Sequence, residues 1–390
     1  MRQRDDLTFS MAEHERRLGD LRRRMEERRL DAVIIVDPAN LTYLTEHQTT
    51  GYSFFQALVV PLAQEPFMVA RQMEASNVEA RTWVEHWWSY PDTGDAIQTL
   101  YRGLQDRGLA SGRIGYERNS YFFPAYHQDR FRNALVSNDG GEFIDCFGIV
   151  EAGRQVKSDE EIAVMRQAAH ATQAGMRAGL DTADAGVTEN EIAAAVCAAM
   201  FTAGGEYPAV LPYVSSGPRT LIGHSTWEGR EVQTGEHVYL EVGGCYRRYH
   251  TAMMRTVVLG EPDEHLAEAE AIMRSTLDAL HQFVKPGVTV SDVDLLAREM
   301  VQNNHSGAYL ITRAGYSIGI AFAPSWDEGH ILELKQGDSR VLRPGMTFHL
   351  IPWMWAVDGE KTVGLSDTIR VTEDGCESFF DLEPRFTVKR

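Results

Sequence analysis

V-Y-L-E-V-G-G-C-Y-R-R-Y-H-T-A-M-M-R-T, residues Val238 to Thr256, has the frame of a metal-binding hairpin and almost none of the ligands one requires. Two strand-like runs meet at Gly243 and Gly244. Alternation puts Glu241 on the face of Tyr239 and opposite Leu240 and Val242. The second arm offers Tyr249, Thr251 and Ala252 where a second carboxylate would be needed. The stretch therefore reads as such a frame left with a single carboxylate.

Around this hairpin the chain alternates long helical patterns with short strands. Ser158 with Glu161 forms a capping-box pattern that opens a helix over 158–180. Further helices are expected over 188–203, 264–283 and 290–303, with strands over 238–242, 253–258, 346–351 and 368–371. Lys285, Pro286 and Gly287 close the third of these helices in the usual way. Helices and antiparallel strands kept apart in this manner predict an α+β domain. Upstream, an Arg-rich amphipathic segment (12–29), strands at 32–36 and 57–61 and helices near 95–108 and 124–136 have the rhythm of a smaller α/β domain. The expected division is 1–153 and 154–390.

At 390 residues, two domains are the natural expectation. A formal net charge of −18 argues against a nucleic-acid partner, since phosphate binding needs a concentrated basic surface. No window reads as a membrane span or a signal peptide, so a cytoplasmic location is expected. The four cysteines, Cys146, Cys197, Cys245 and Cys376, form no C-x-x-C pair and predict neither a disulfide framework nor a thiolate metal site.

Seven segments in order resemble the pita-bread fold family of methionine and Xaa-Pro aminopeptidases, prolidase and creatinase. They are RQVKSDEEI (154–162), SSGPRTLIGH (215–224), EVGGCYRRYHTAMMRT (241–256), VKPGVT (284–289), GYSIG (315–319), LRPGMTF (342–348) and SDTIRVTEDG (366–375). The resemblance implies a pita-bread C-terminal domain, a creatinase-type N-terminal domain and a homodimer. The metallopeptidases of this family hold two divalent ions with five ligands, and the matching places here are Glu241, Ala252, Tyr316, Ile351 and Ser366. One carboxylate, a phenol and a hydroxyl among two aliphatic groups cannot offset the dehydration of two such ions. Neither a metal nor another cofactor is expected.

The same resemblance places His224 where creatinase has its acid/base histidine. An imidazole can accept and then donate a proton near neutral pH, as C–N cleavage requires. His224 and Glu241 are the expected catalytic residues. Tyr316, His349 and Ser366 are expected to border the substrate, with Tyr52, Phe54 and Arg71 contributed by the N-terminal domain, Arg71 as a handle for a carboxylate. An unactivated peptide carbonyl needs a Lewis acid, whereas an amidinium or guanidinium carbon brings its own positive charge. The expected substrate is thus a small zwitterionic or cationic molecule. GYSIGIAFAPSW (315–326) and GMTFHLIPWMW (345–355) are more similar to the ectoine hydrolases of this family than to creatinase, which implies ring opening of a cyclic amidine. Creatinase-type cleavage of a guanidino compound, Xaa-Pro peptidase activity and metal-free peptide binding without turnover are the alternatives.

Overall fold

The computed structural model describes all 390 residues as two compact units, Met1–Arg154 and Gln155–Arg390. In the first, α1 (Met11–Glu27), β1 (Ala32–Ile35) and α2 (Pro38–Thr45) are followed by β2 (Ala57–Pro61), β3 (Phe67–Arg71), α3 (Ala75–Arg81), β4 (His86–Tyr90), α4 (Ala96–Asp106), β5 (Arg113–Tyr116), α5 (Ala125–Asp139), β6 (Glu142–Asp145) and the short α6 (Glu151–Arg154). The strands form one mixed sheet in the order β4-β3-β2-β1-β5-β6. Its centre is the apolar run Ala32 to Ile35, buried on both faces, as an unbroken run of this kind requires.

The second unit opens with α7 (Asp159–Thr182) and α8 (Glu189–Thr202), then β7 (Tyr213–Ser216), β8 (His237–Tyr246) and β9 (Tyr249–Leu259). Next come α9 (Glu264–Phe283), α10 (Val290–Gln302), β10 (Tyr309–Leu310), β11 (Gly315–Ser317), β12 (Glu333–Leu334), β13 (Thr347–Leu350), β14 (Met354–Val357), β15 (Lys361–Val363), β16 (Asp367–Val371), β17 (Cys376–Ser378) and β18 (Thr387–Lys389). The expected capping box of Ser158 and Glu161 opens α7, and Thr188 with Glu191 forms a second one on α8. Val238, Leu240 and Val242 turn one face of β8 onto Met176, Ile192 and Val196 of these two helices. The opposite face carries Tyr239 and Glu241.

The hairpin departs from its expected form. Its strands do not meet at Gly243 and Gly244; β8 runs on to Tyr246 and the turn is made by Arg247 and Arg248, at φ 50° and 65°. Both arginines occupy the left-handed region that a two-residue hairpin turn demands and that larger residues normally avoid. Arg248 is held there by its side chain, which is fully buried and donates to the carbonyls of Tyr207 and Ala321. The two glycines instead permit close packing. A Cβ on Gly243 would stand 2.5 Å from the Trp326 indole, and one on Gly244 would meet Thr172 of α7 at the same distance.

Candidate active site

β8 delivers its polar face to a cavity of about 450 Å³ within the C-terminal unit, a size suited to a small molecule. Its walls include Tyr213 from β7, Tyr239 and Glu241 from β8, Tyr316 from β11, His224 from the segment after β7, Trp326 and Asp327 from the segment after β11, and Arg313, Ile351 and Trp353.

Glu241 is 8% exposed and accepts one hydrogen bond, from the Tyr239 hydroxyl at 3.0 Å. Burial without a cation beside it pushes its carboxyl up to about 7. Tyr213 lies directly across the strand pair from Glu241, and burial raises its phenol to about 12. Its ring is also 5.7 Å from that of His224. His224 is exposed and sits at φ 56°, so the backbone turns sharply where its imidazole enters the wall. No hydrogen bond joins it to Glu241, and Tyr213 stands beside both. The expected carboxylate and imidazole therefore share a cavity but form no contact pair.

The segment carrying His224 is anchored from below. Buried Glu189 accepts from the Ser216 amide and hydroxyl and from Arg219, and Arg219 also holds Ser225 and the Thr226 carbonyl. On the opposite wall, the buried ion pair of Lys157 and Glu328, 2.6 Å apart, fixes the residue after Asp327. Trp326 packs on Gly243 and meets Tyr213 edge to face at 5.5 Å.

Tyr316 lines the cavity, whereas His349 and Ser366 stand behind it, completely buried. His349 Nδ1 is 2.8 Å from the Tyr316 hydroxyl and its Nε2 is 2.7 Å from Ser366 Oγ. Tyr52, Phe54 and Arg71 belong to the N-terminal unit. There Tyr52 packs edge to face with Phe122, and Arg71 lies over Phe54 at 4.1 Å while forking onto Asp92 at 2.6 and 2.7 Å. That fork uses Arg71 as an internal ion pair.

Sequence reasoning missed Tyr213, Tyr239, Arg313, Trp326, Asp327 and Trp353 as wall residues. Tyr239 was legible in principle, being two residues before Glu241 on one strand. Arg313 is the cation of the wall: its Nε is 3.0 Å from Glu333, an amine nitrogen is 4.0 Å from Asp327, and its guanidinium lies 4.8 Å from the centre of the Tyr316 ring. Trp353 stacks on Tyr239 at 6.0 Å with its indole N–H buried and unpartnered.

Residues 163–373 match the model of metallopeptidase family M24, and residues 17–156 match the creatinase/prolidase N-terminal domain. The chain belongs to metallopeptidase family M24. Among M24-related proteins it is 30% identical to an ectoine hydrolase of Halomonas elongata, with 98% of this chain and 99% of that one aligned. It is 24% identical to a Xaa-Pro dipeptidase of Pyrococcus furiosus over 93% of this chain and 96% of that one. In three dimensions it is similar to a prolidase of Thermococcus sibiricus, with a TM-score of 0.84 at 18% identity over 96% of this chain and 99% of the other. The pita-bread fold and the creatinase-type N-terminal domain are thereby established.

The family name implies a metal, and the donor set here does not fit one. No three His, Cys, Asp or Glu side chains converge anywhere in the molecule. Ala252 lies across from Gly243, on the strand face that Trp326 covers. Ile351 offers no donor, Ser366 is spent on His349, and Asp327 accepts from Ser325 and from the Gly329 amide. Of the two carboxylates in the cavity wall, Glu241 is left as the one with neither a cation nor an amide beside it, among phenols and indoles.

Proposed function

We propose that the protein hydrolyses a C–N bond in a small amidine that also carries a carboxylate, ectoine foremost, without a metal ion. The observation that carries this reading is Glu241: a buried carboxyl with no cation of its own, in a cavity walled by Tyr213, Tyr239, Tyr316, Trp326 and Trp353. Aromatic faces and one carboxylate without a partner cation suit a flat, delocalised cation. An amidinium beside ionised Glu241 supplies the missing counter-charge, and its carbon is electrophilic without a Lewis acid. Arg313 and the free Trp353 N–H suit the substrate carboxylate, the part first given to Arg71.

Hydrolysis adds water at the amidinium carbon: one C–O bond forms, one ring C–N bond breaks, and both water hydrogens end on the departing nitrogen, leaving an amide and an ammonium group. For ectoine the product is an N-acetylated diaminobutyrate. His224, exposed at the wall, delivers a proton to the departing nitrogen and recovers it from solvent. Similarity to ectoine hydrolase along nearly the whole chain supports the same reading. Relatives that are Xaa-Pro peptidases support hydrolysis as such, and the donor set weighs against their substrates.

Proton NMR of the chelator-treated protein with ectoine, creatine and an Xaa-Pro dipeptide in parallel, with elemental analysis for bound metal, tests this. Ectoine should disappear, with an N-acetyl signal rising and EDTA without effect. Activity that vanishes with EDTA and returns with manganese or cobalt would sink the proposal. Preferred turnover of creatine would move the substrate to the guanidino class.

A further inference from the structure

The hydrogens behind Tyr316 can be placed one by one. Two donors have fixed roles: the Trp326 indole N–H points at the Tyr316 oxygen from 3.0 Å and the Met254 amide points at Ser366 Oγ from 2.6 Å; neutral His349 has one further N–H, on Nδ1 or on Nε2. If that N–H were on Nε2, it and the Met254 amide would converge on Ser366 Oγ. The Ser366 hydroxyl hydrogen would then be completely buried with no acceptor, at a cost of about 1–3 kcal/mol.

With the hydrogen on Nδ1, every group behind Tyr316 is satisfied. Ser366 donates to His349 Nε2, and His349 donates from Nδ1 to the Tyr316 oxygen, which also accepts from Trp326. Both lone pairs of Tyr316 are then used, and its own O–H has one direction left, into the cavity that Tyr316 lines. Burial holds His349 neutral, depressed to about 3, and holds the Tyr316 phenol protonated by raising it well above its ordinary value.

We infer that Ser366 and His349 set the direction of the proton at Tyr316 and so make it a hydrogen-bond donor to the reacting centre. The identity of that centre rests on the proposed amidine hydrolysis; the direction of the proton does not. Tyr316 is then a catalytic residue, while His349 and Ser366 are positioning residues. Two members of the relay, Tyr316 and Ser366, stand at places that match the family's metal ligands, and together with His349 they aim one neutral O–H.

The relay is tested first on the resting protein. In 15N-histidine-labelled protein, with the His349 signals identified by their loss in His349→Gln, Nδ1 should be protonated and Nε2 bare. The opposite tautomer, or an imidazolium, overturns the inference whatever the substrate is. With ectoine, Tyr316→Phe should lower kcat by about 10²-fold or more, as for loss of one preorganised donor, and move KM by no more than about threefold. Ser366→Ala, shown folded by circular dichroism, should lower kcat by about tenfold and lose the Nδ1-protonated signature. Wild-type kcat in Tyr316→Phe overturns the catalytic part. Failure to open ectoine together with the expected tautomer overturns the substrate reading and leaves the relay standing.

Discussion

Glu241 carries a proton that the unfolded chain would release. Its carboxyl titrates near 7 in the folded protein against an ordinary 4.5, because burial disfavours its charge more than the Tyr239 hydrogen bond favours it. The native state therefore binds more protons than the unfolded state between these two values, and stability falls as pH rises through that window. The penalty is absent below about pH 4.5 and complete above about pH 7, roughly 3 kcal/mol at ~1.4 kcal/mol per unit. Glu241→Gln should thus match the wild type near pH 4 and exceed it by roughly 2–3 kcal/mol at pH 8 in chemical denaturation. The same variant should lose turnover, while wild-type kcat/KM climbs to a plateau with a midpoint near 7. Equal stability at pH 8 would return Glu241 to an ordinary carboxyl. A site that costs stability when ionised is poised to take up a cation.

At the scale of elements, the β8–β9 hairpin acts as the frame and the segments around it as the walls. Arg248 ties the hairpin turn to two of these segments, through Tyr207 and Ala321, and lies 4.3 Å from the Tyr207 ring and 4.5 Å from that of Phe322. Val210 and Pro324, a few residues along the same segments, line the cavity. Arg248→Ala leaves buried carbonyls without donors and should cost about 2–4 kcal/mol in thermal or chemical unfolding. It should also weaken substrate binding, since both wall segments lose their shared tether. A change within ±0.5 kcal/mol would show that the turn needs no such support. The ordinary hairpin signal, glycine in the turn, was misleading here because the glycines serve Trp326 and Thr172 instead.

For the molecule as a whole, 56 acidic against 38 basic side chains leave a formal net charge of −18. Self-repulsion of this size opposes the compact state and is screened within about 10 Å at 0.1 M salt. The melting temperature should rise by several degrees between about 10 and 200 mM sodium chloride. A falling melting temperature would mean that attractive ion pairs outweigh the repulsion. No helix is long and apolar enough to cross a membrane.

The sequence by itself determined the α/β and α+β character of the two halves, the capped helices and the face of Glu241, because periodicity and caps are local properties of the chain. The ordered motifs from Arg154 to Gly375 carried the family, and the residue types at its ligand places carried the expectation that no metal is bound. Tertiary structure alone decided that Arg313 and Trp353 join Glu241, that Tyr213 stands between Glu241 and His224, and that His349 and Ser366 serve Tyr316 from behind. Those facts depend on which segments, up to about 140 residues apart in this wall, fold against one strand face. The hydrogen-bond direction at Tyr316 depends further on counting every donor around a buried serine. Such a count exists only once the chain has enclosed it.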